Sequence, residues 1–345
     1  MGPIVVFVLV FLICAELFAR AYLLHQSKKR YHNSDPKPPI ATDAVDSEGT
    51  ISGEISKEKE QFKVLDIQSR TKDPLGSCPE FAGTWLTIDH GKRRTTDTPY
   101  GSPSRVLCLG GSTTFCGDVA DEHTWPSVLQ RYLNRQCSRV VVVENLGRMG
   151  ATASNRLQYL RKAIVTNDVA AVILLFGVND AGWVQLGDLQ GLSLPIRQLV
   201  TSGLGMSRFS YRFLGGPIGR RCGRDASMNT VNEIKHTAYW LSERNIPLIA
   251  VLQPYYWSGY PLPKQLTVGN SSPFQIRVDF LHALKSAYET YGSELLRIPN
   301  VVFHNFQSVL DTARETAYVD WIHLNTIGCA EIGGRIGQVT EQVLS

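Results

Sequence analysis

The chain has 345 residues, 43% of them hydrophobic and 19% charged, with a formal net charge of +4. That is an ordinary globular composition with enough apolar material for one sizeable core. A charge this small, part of it concentrated in Lys28-Lys29-Arg30, leaves no broad basic footprint, so nucleic acid is not an expected partner. The seven cysteines include no CxxC pair, which argues against a structural zinc site.

Ile4 to Ala15 is an unbroken apolar run that extends to Leu24 if Glu16 and Arg20 are tolerated. A helix of about 20 residues crosses a bilayer core, so residues 1–25 read as a single-pass membrane anchor. A cleaved signal peptide is the alternative, weakened by the lack of a basic leading region and of a small-x-small cleavage site. The Lys28-Lys29-Arg30 cluster places the following side in the cytoplasm by the positive-inside rule. A domain tethered by a polar stalk argues instead for an extracytoplasmic position. Residues 26–77, rich in Lys, Asp, Glu, Ser, Pro and Gly, read as that stalk, with a short strand around Phe62 to Ile67. Residues 78–345 make up the folded domain. Its lead-in, 78–104, which contains Trp85, Arg93, Arg94 and several Thr and Pro residues, reads as coil over the core, with a wall of the substrate site as the alternative. Cys14 lies in the apolar run, and the other six cysteines are free to pair if the domain is exported. Cys108, inside a strand, reads as a buried thiol.

From Arg105 the pattern alternates. Strand-like runs are Arg105–Leu109, Val140–Asn145, Ala170–Phe176, Pro247–Leu252 and Val301–Asn305. Amphipathic helical runs fall at Trp125–Arg135, Ala151–Ile164, Asn229–Arg244, Ile276–Tyr291 and Ala330–Leu344. Short apolar strands alternating with helices imply right-handed βαβ units. The expected architecture is an α/β fold: a mostly parallel five-stranded sheet in a three-layer α/β/α sandwich. Residues 181–228 fit no core element and read as an insertion or lid.

Four stretches carry the chemistry: Gly110-Gly111-Ser112-Thr113-Thr114, Asn145-Leu146-Gly147-Arg148-Met149-Gly150, Gly177-Val178-Asn179-Asp180 and Asp320-Trp321-Ile322-His323. The first three each follow an apolar strand, and sites in open parallel sheets form outside the carboxyl ends of strands. A serine hydroxyl needs a base to become a nucleophile. His323 is the candidate base for Ser112, with Asp320 three residues before it to hold the ring in the right tautomer. The backbone N–H groups of Ser112 and Gly147 and the side-chain amide of Asn179 are the candidate oxyanion donors. Neither a metal nor an organic cofactor is implied. Asp118 and His123, close to Ser112 in sequence, are at most supporting residues. The run Gln253-Pro254-Tyr255-Tyr256-Trp257-Ser258-Gly259-Tyr260 follows the fourth strand and reads either as an aromatic platform for a sugar or acyl group or as loop packing. Asn270-Ser271-Ser272 has the pattern of a glycosylation sequon.

On these four blocks, over roughly residues 105–345, the chain resembles the SGNH (GDSL-like) hydrolase superfamily. Gly111 stands where the family name has aspartate. The Gly-Gly-Ser-Thr form, with Asp121-Glu122-His123-Thr124-Trp125-Pro126 opening the first helix, resembles a membrane-anchored bacterial branch. The resemblance implies a flavodoxin-like fold and a serine esterase acting on an acyl ester, with an O-acetyl group on a carbohydrate among the candidate substrates. The alternatives are an acyltransferase to a glycan or a non-catalytic envelope binding domain. The expected partners are a small-molecule or glycan ester and, through residues 1–25, the membrane.

Overall fold

Val169–Phe176 is apolar at every position, the signature of a strand covered on both faces. The computed structural model describes residues 49–73, 76–101, 104–163, 168–181, 227–256 and 278–345. All belong to one compact unit, Thr42–Val184 with Gly223–Ser345. Its strands are β1 (Phe81–Ala82), β2 (Thr87–Asp89), β3 (Lys92–Arg93), β4 (Ser104–Gly110), β5 (Val141–Gly147), β6 (Val169–Phe176), β7 (Leu248–Leu252) and β8 (Val301–Asn305). They form one sheet in the order β1-β2-β3-β5-β4-β6-β7-β8. The five strands expected from sequence are the parallel set β5-β4-β6-β7-β8.

Alternate residues of these strands enter two cores. Leu107, Leu109, Leu174 and Ala250 face α3 (Ala153–Ala163), α4 (227–242) and α5 (Val278–Leu295). Val106, Cys108, Ile173 and Val251 face α2 (Trp125–Gln136) and α6 (Thr326–Leu344). The period-2 alternation thus becomes a three-layer α/β/α sandwich, each buried Leu, Ile or Val contributing about 1.5–3 kcal/mol. Helix α6 begins at Thr326, four residues before its expected start, because Asn325 accepts hydrogen bonds from the N–H groups of Ile327 and Gly328.

Two expectations are overturned. Residues 49–72, placed in the stalk with a short strand at Phe62 to Ile67, form helix α1 (Gly49–Lys72). Its Glu-, Lys- and Gln-rich sequence favours helix, but among its described side chains only Phe62 and Asp66 are buried, too few to print an amphipathic period. Phe62 stacks on Phe115 with ring centroids 5.1 Å apart. The lead-in is not coil either: β1, β2 and β3 extend the sheet beyond β5 through successive antiparallel pairings, making eight strands rather than five. Strands two or three residues long carry no legible alternation. Residues 1–48, most of the expected lid (182–226), Trp257 to Tyr260 and Asn270 lie outside the described residues. Among the described residues no helix is long and apolar enough to cross a membrane. The described cysteines, Cys78, Cys108, Cys116, Cys137 and Cys329, are free thiols.

Candidate active site

Strand β4 ends at Gly110, and the chain turns at once into a one-turn helix, Ser112–Phe115. Ser112 is the first residue of that turn, so its N–H has no intrahelical acceptor. The turn rests on Gly147: a side chain there would fall on the backbone of Thr114 and Phe115.

The histidine comes from the other end of the chain, 211 residues away. His323 Nε2 is 2.9 Å from Ser112 Oγ, and His323 Nδ1 is 2.7 Å from Asp320 Oδ2. The other carboxylate oxygen, Asp320 Oδ1, accepts the backbone N–H groups of Ile322 (2.8 Å) and His323 (2.7 Å). One aspartate therefore shapes its own loop and orients the ring. Burial opposes ionisation of Asp320, but the His323 hydrogen bond, the His323 charge and the two backbone donors outweigh it and hold its pKa below the usual carboxylate value. For His323, burial works against the charged ring. The hydrogen bond and charge of Asp320, with the charge of Asp118, prevail and raise its pKa above the ordinary 6.5. A raised pKa fits a ring that must take a proton from a hydroxyl.

Asn179 follows β6, and its side-chain Nδ2 donates to the Ala151 carbonyl at 2.9 Å. An amide nitrogen carries two hydrogens, so this bond fixes the group and leaves the second hydrogen for another acceptor. The amide also lies against Gly111, where a side chain would collide with Asn179 Nδ2 and the Ala151 oxygen. Glycine before the serine is thus the residue that lets Asn179 come close. The neighbouring Asp180 is buried and ties two blocks together, accepting from Ala153 N (2.8 Å) and Gly177 N (3.1 Å). Its pKa is pushed up to about 6 by burial, against the pull of these bonds.

Gly147 is a correction. Its N–H, expected to face an oxyanion, donates to Asn145 Oδ1 at 3.0 Å. Gly147 serves as the seat of the serine turn. Three residues on, Gly150 is exposed, has φ +71°, and precedes the alanine that holds Asn179.

Asp118 pairs with Lys59 of α1 at 4.0 Å, and its charge is felt at His323. His123 is half exposed beside Glu122. Arg93 of the lead-in is no substrate wall; it is buried beneath the Ser112–Phe115 turn. Of the aromatic run, Tyr255 is buried edge-on to Tyr288, and Tyr256 is edge-on to Tyr318, so these two rings pack the loop. Sequence reading gave Gln253 no role of its own, yet its Oε1 is 3.1 Å from the hydroxyl of Thr113, the residue after the serine. Among the described residues no cluster of His, Cys, Asp or Glu could hold a metal ion.

The model of the GDSL-like Lipase/Acylhydrolase family matches residues 108–330. No curated relative matches the sequence. Among solved structures, the chain is similar to a GDSL-like lipase from Parabacteroides merdae (13% identity, 72% of this chain and 100% of that one, TM-score 0.42). It is also similar to an acetylxylan esterase from Geobacillus stearothermophilus (12%, 70% and 94%, TM-score 0.43). A third is the lipase/acylhydrolase from Enterococcus faecalis (16%, 70% and 97%, TM-score 0.40).

Proposed function

The chain belongs to the GDSL-like lipase/acylhydrolase family, a family of ester-hydrolysing enzymes, and from that premise we propose that it is a serine esterase in which Ser112, His323 and Asp320 do the chemistry. The observation that carries this reading is the unbroken line of contacts from Ser112 Oγ to His323 Nε2 (2.9 Å) and from His323 Nδ1 to Asp320 Oδ2 (2.7 Å).

In the proposed cycle Ser112 Oγ attacks the ester carbonyl carbon while its proton passes to His323 Nε2. The oxyanion is held by the Ser112 N–H and the Asn179 amide, with the Gly150 N–H as third donor in place of Gly147. The tetrahedral adduct collapses, the C–O bond to the alcohol breaks, and His323 gives the leaving oxygen its proton. Water, deprotonated in turn by His323, attacks the acyl-serine and releases the acid. Asp320 stays ionised throughout and stabilises the imidazolium that forms twice per turnover.

The proposed substrate class is an O-acyl ester, with an acetylated carbohydrate as its leading member. Support for the sugar comes from the sequence alone, where the aromatic residues Trp257 and Tyr260 come shortly after β7. Residues 1–25 are proposed to tether the domain to a membrane, on its extracytoplasmic side. The test is turnover of short-chain aryl esters and acetylated glycans by wild type and Ser112→Ala. Activity that survives Ser112→Ala sinks the assignment. A glycan acceptor that diverts the acyl group from water would identify a transferase instead.

A further inference from the structure

The turn that carries the serine is too short to hold itself together. One helical turn fixes several dihedrals for a single hydrogen bond, which is unfavourable in isolation. Its last carbonyls also lack intrahelical partners. The chain leaves it through Cys116 in the left-handed region (φ +58°). Something outside the turn must satisfy its carboxyl end.

That group is Arg93, on a strand 22 residues upstream of Phe115. Its guanidinium donates through Nη1 to the carbonyls of Phe115 (2.6 Å) and Cys116, and through Nη2 to that of Val119 (2.6 Å). Nε donates to Asp121 Oδ1 at 3.0 Å. The arginine is only 1% exposed and lies over the Phe115 ring, 5.2 Å from its centroid. Such a site, fully dry, gathers three carbonyls and one carboxylate around a single planar fork, a geometry that lysine cannot match. A cation at the carboxyl end of a helical turn also complements the turn's dipole. The opposite end of that dipole is the Ser112 N–H.

Burying an arginine is costly unless every donor is used. A structure that needed only stability would fill this space with apolar side chains, which is often as stable or more so. Here the buried charge is aimed at one short segment, and that segment carries the nucleophile.

We infer that Arg93 is a positioning residue for the ester-cleaving reaction: it sets the pitch of the Ser112–Phe115 turn, and so the direction of the Ser112 hydroxyl and N–H. The inference rests on Ser112 being the nucleophile, as proposed above. Misplacing a reacting group by about 1 Å costs on the order of 10²-fold in rate. Arg93→Met and Arg93→Lys should therefore lower kcat toward a short-chain aryl ester by about 10²-fold with KM unchanged. The rate of Ser112 phosphonylation by a fluorophosphonate should fall in parallel. Both are measured well below each variant's melting temperature, with folding checked by circular dichroism.

A merely structural arginine would lower the melting temperature but leave kcat and phosphonylation of the folded enzyme at wild-type values, and that result overturns the inference. Should Arg93→Met not fold, Arg93→Lys and Asp121→Asn decide the matter. The latter removes the charge that orients the fork, and wild-type kcat in both would overturn the inference equally. Ser112→Ala is run beside them. If it retains activity, the serine assignment fails; if it is inactive while the Arg93 variants are not, only the positioning role fails.

Discussion

The two sides of the site are built in opposite ways. His323 and Asp320 sit three residues apart, and the carboxylate makes all of its site contacts within its own loop: two backbone N–H groups and one ring nitrogen. The Ser112 turn is held by residues from all over the chain: Arg93 at its carboxyl end, the Trp125 indole on the Thr113 carbonyl at 3.1 Å, Gln253 on the Thr113 hydroxyl, and Gly147 beneath. A locally built base tolerates changes elsewhere in the fold. The proposed nucleophile, held at long range, reports on the fold's integrity, because loss of any support changes its aim.

The largest effects test whether both sides act as one unit. Ser112→Ala should reduce kcat by about 10⁶-fold, as for other serine hydrolases that lose the nucleophile, with an unchanged melting curve. Asp320→Asn should cost about 10⁴-fold, because the amide presents its N–H to Nδ1 and favours the wrong ring tautomer. The pH profile gives this change a sign. Only neutral His323 can accept the serine proton, so activity falls as pH drops through its pKa, which Asp320 holds above 6.5. Without that charge the acidic limb must move to lower pH. An acidic limb that stays in place in Asp320→Asn would break the link between the carboxylate and the ring.

The same contrast explains what could be read from sequence. The five parallel strands were legible because each is a run of apolar residues, as in Val169–Phe176. The Asp320–His323 pair was legible because its partners lie within one motif. Arg93 was not, since nothing in Lys92-Arg93-Arg94 distinguishes an arginine that will be buried under a serine turn from one on the surface. Gln253 reaches Thr113 across 140 residues, a pairing that only the adjacency of β4, β6 and β7 creates. Helix α1 carries no legible period because, among its described side chains, Phe62 and Asp66 alone are buried. Gly147 was assigned to the oxyanion from its place in a motif, whereas its N–H is already committed to Asn145.

Gly147→Ala sharpens the contrast from the scaffold side. The new methyl would meet backbone atoms of Thr114 and Phe115, which cannot rotate away as a side chain could. Overpacking of this kind costs about 1–3 kcal/mol. Chemical denaturation should show that loss together with a drop in kcat, because the displaced backbone belongs to the serine turn. A variant that loses stability but keeps full kcat would mean that the turn can shift as a rigid body without losing its aim.

The smallest expected effect is also the most specific. Thr113 and Gln253 meet only through one buried hydrogen bond of 3.1 Å, while the Gln253 backbone is independently pinned to Phe176 O at 2.9 Å and to the Tyr288 hydroxyl at 3.0 Å. Removing either side chain should leave the strand end in place and loosen only the turn, at about 1 kcal/mol, a severalfold loss in kcat. Because both substitutions remove the same bond, Thr113→Val and Gln253→Ala together should cost little more than either alone, and a double-mutant cycle on kcat reads that coupling directly. Strict additivity would mean that each residue acts through a different contact, and that β7 contributes nothing to the aim of Ser112 through this bridge.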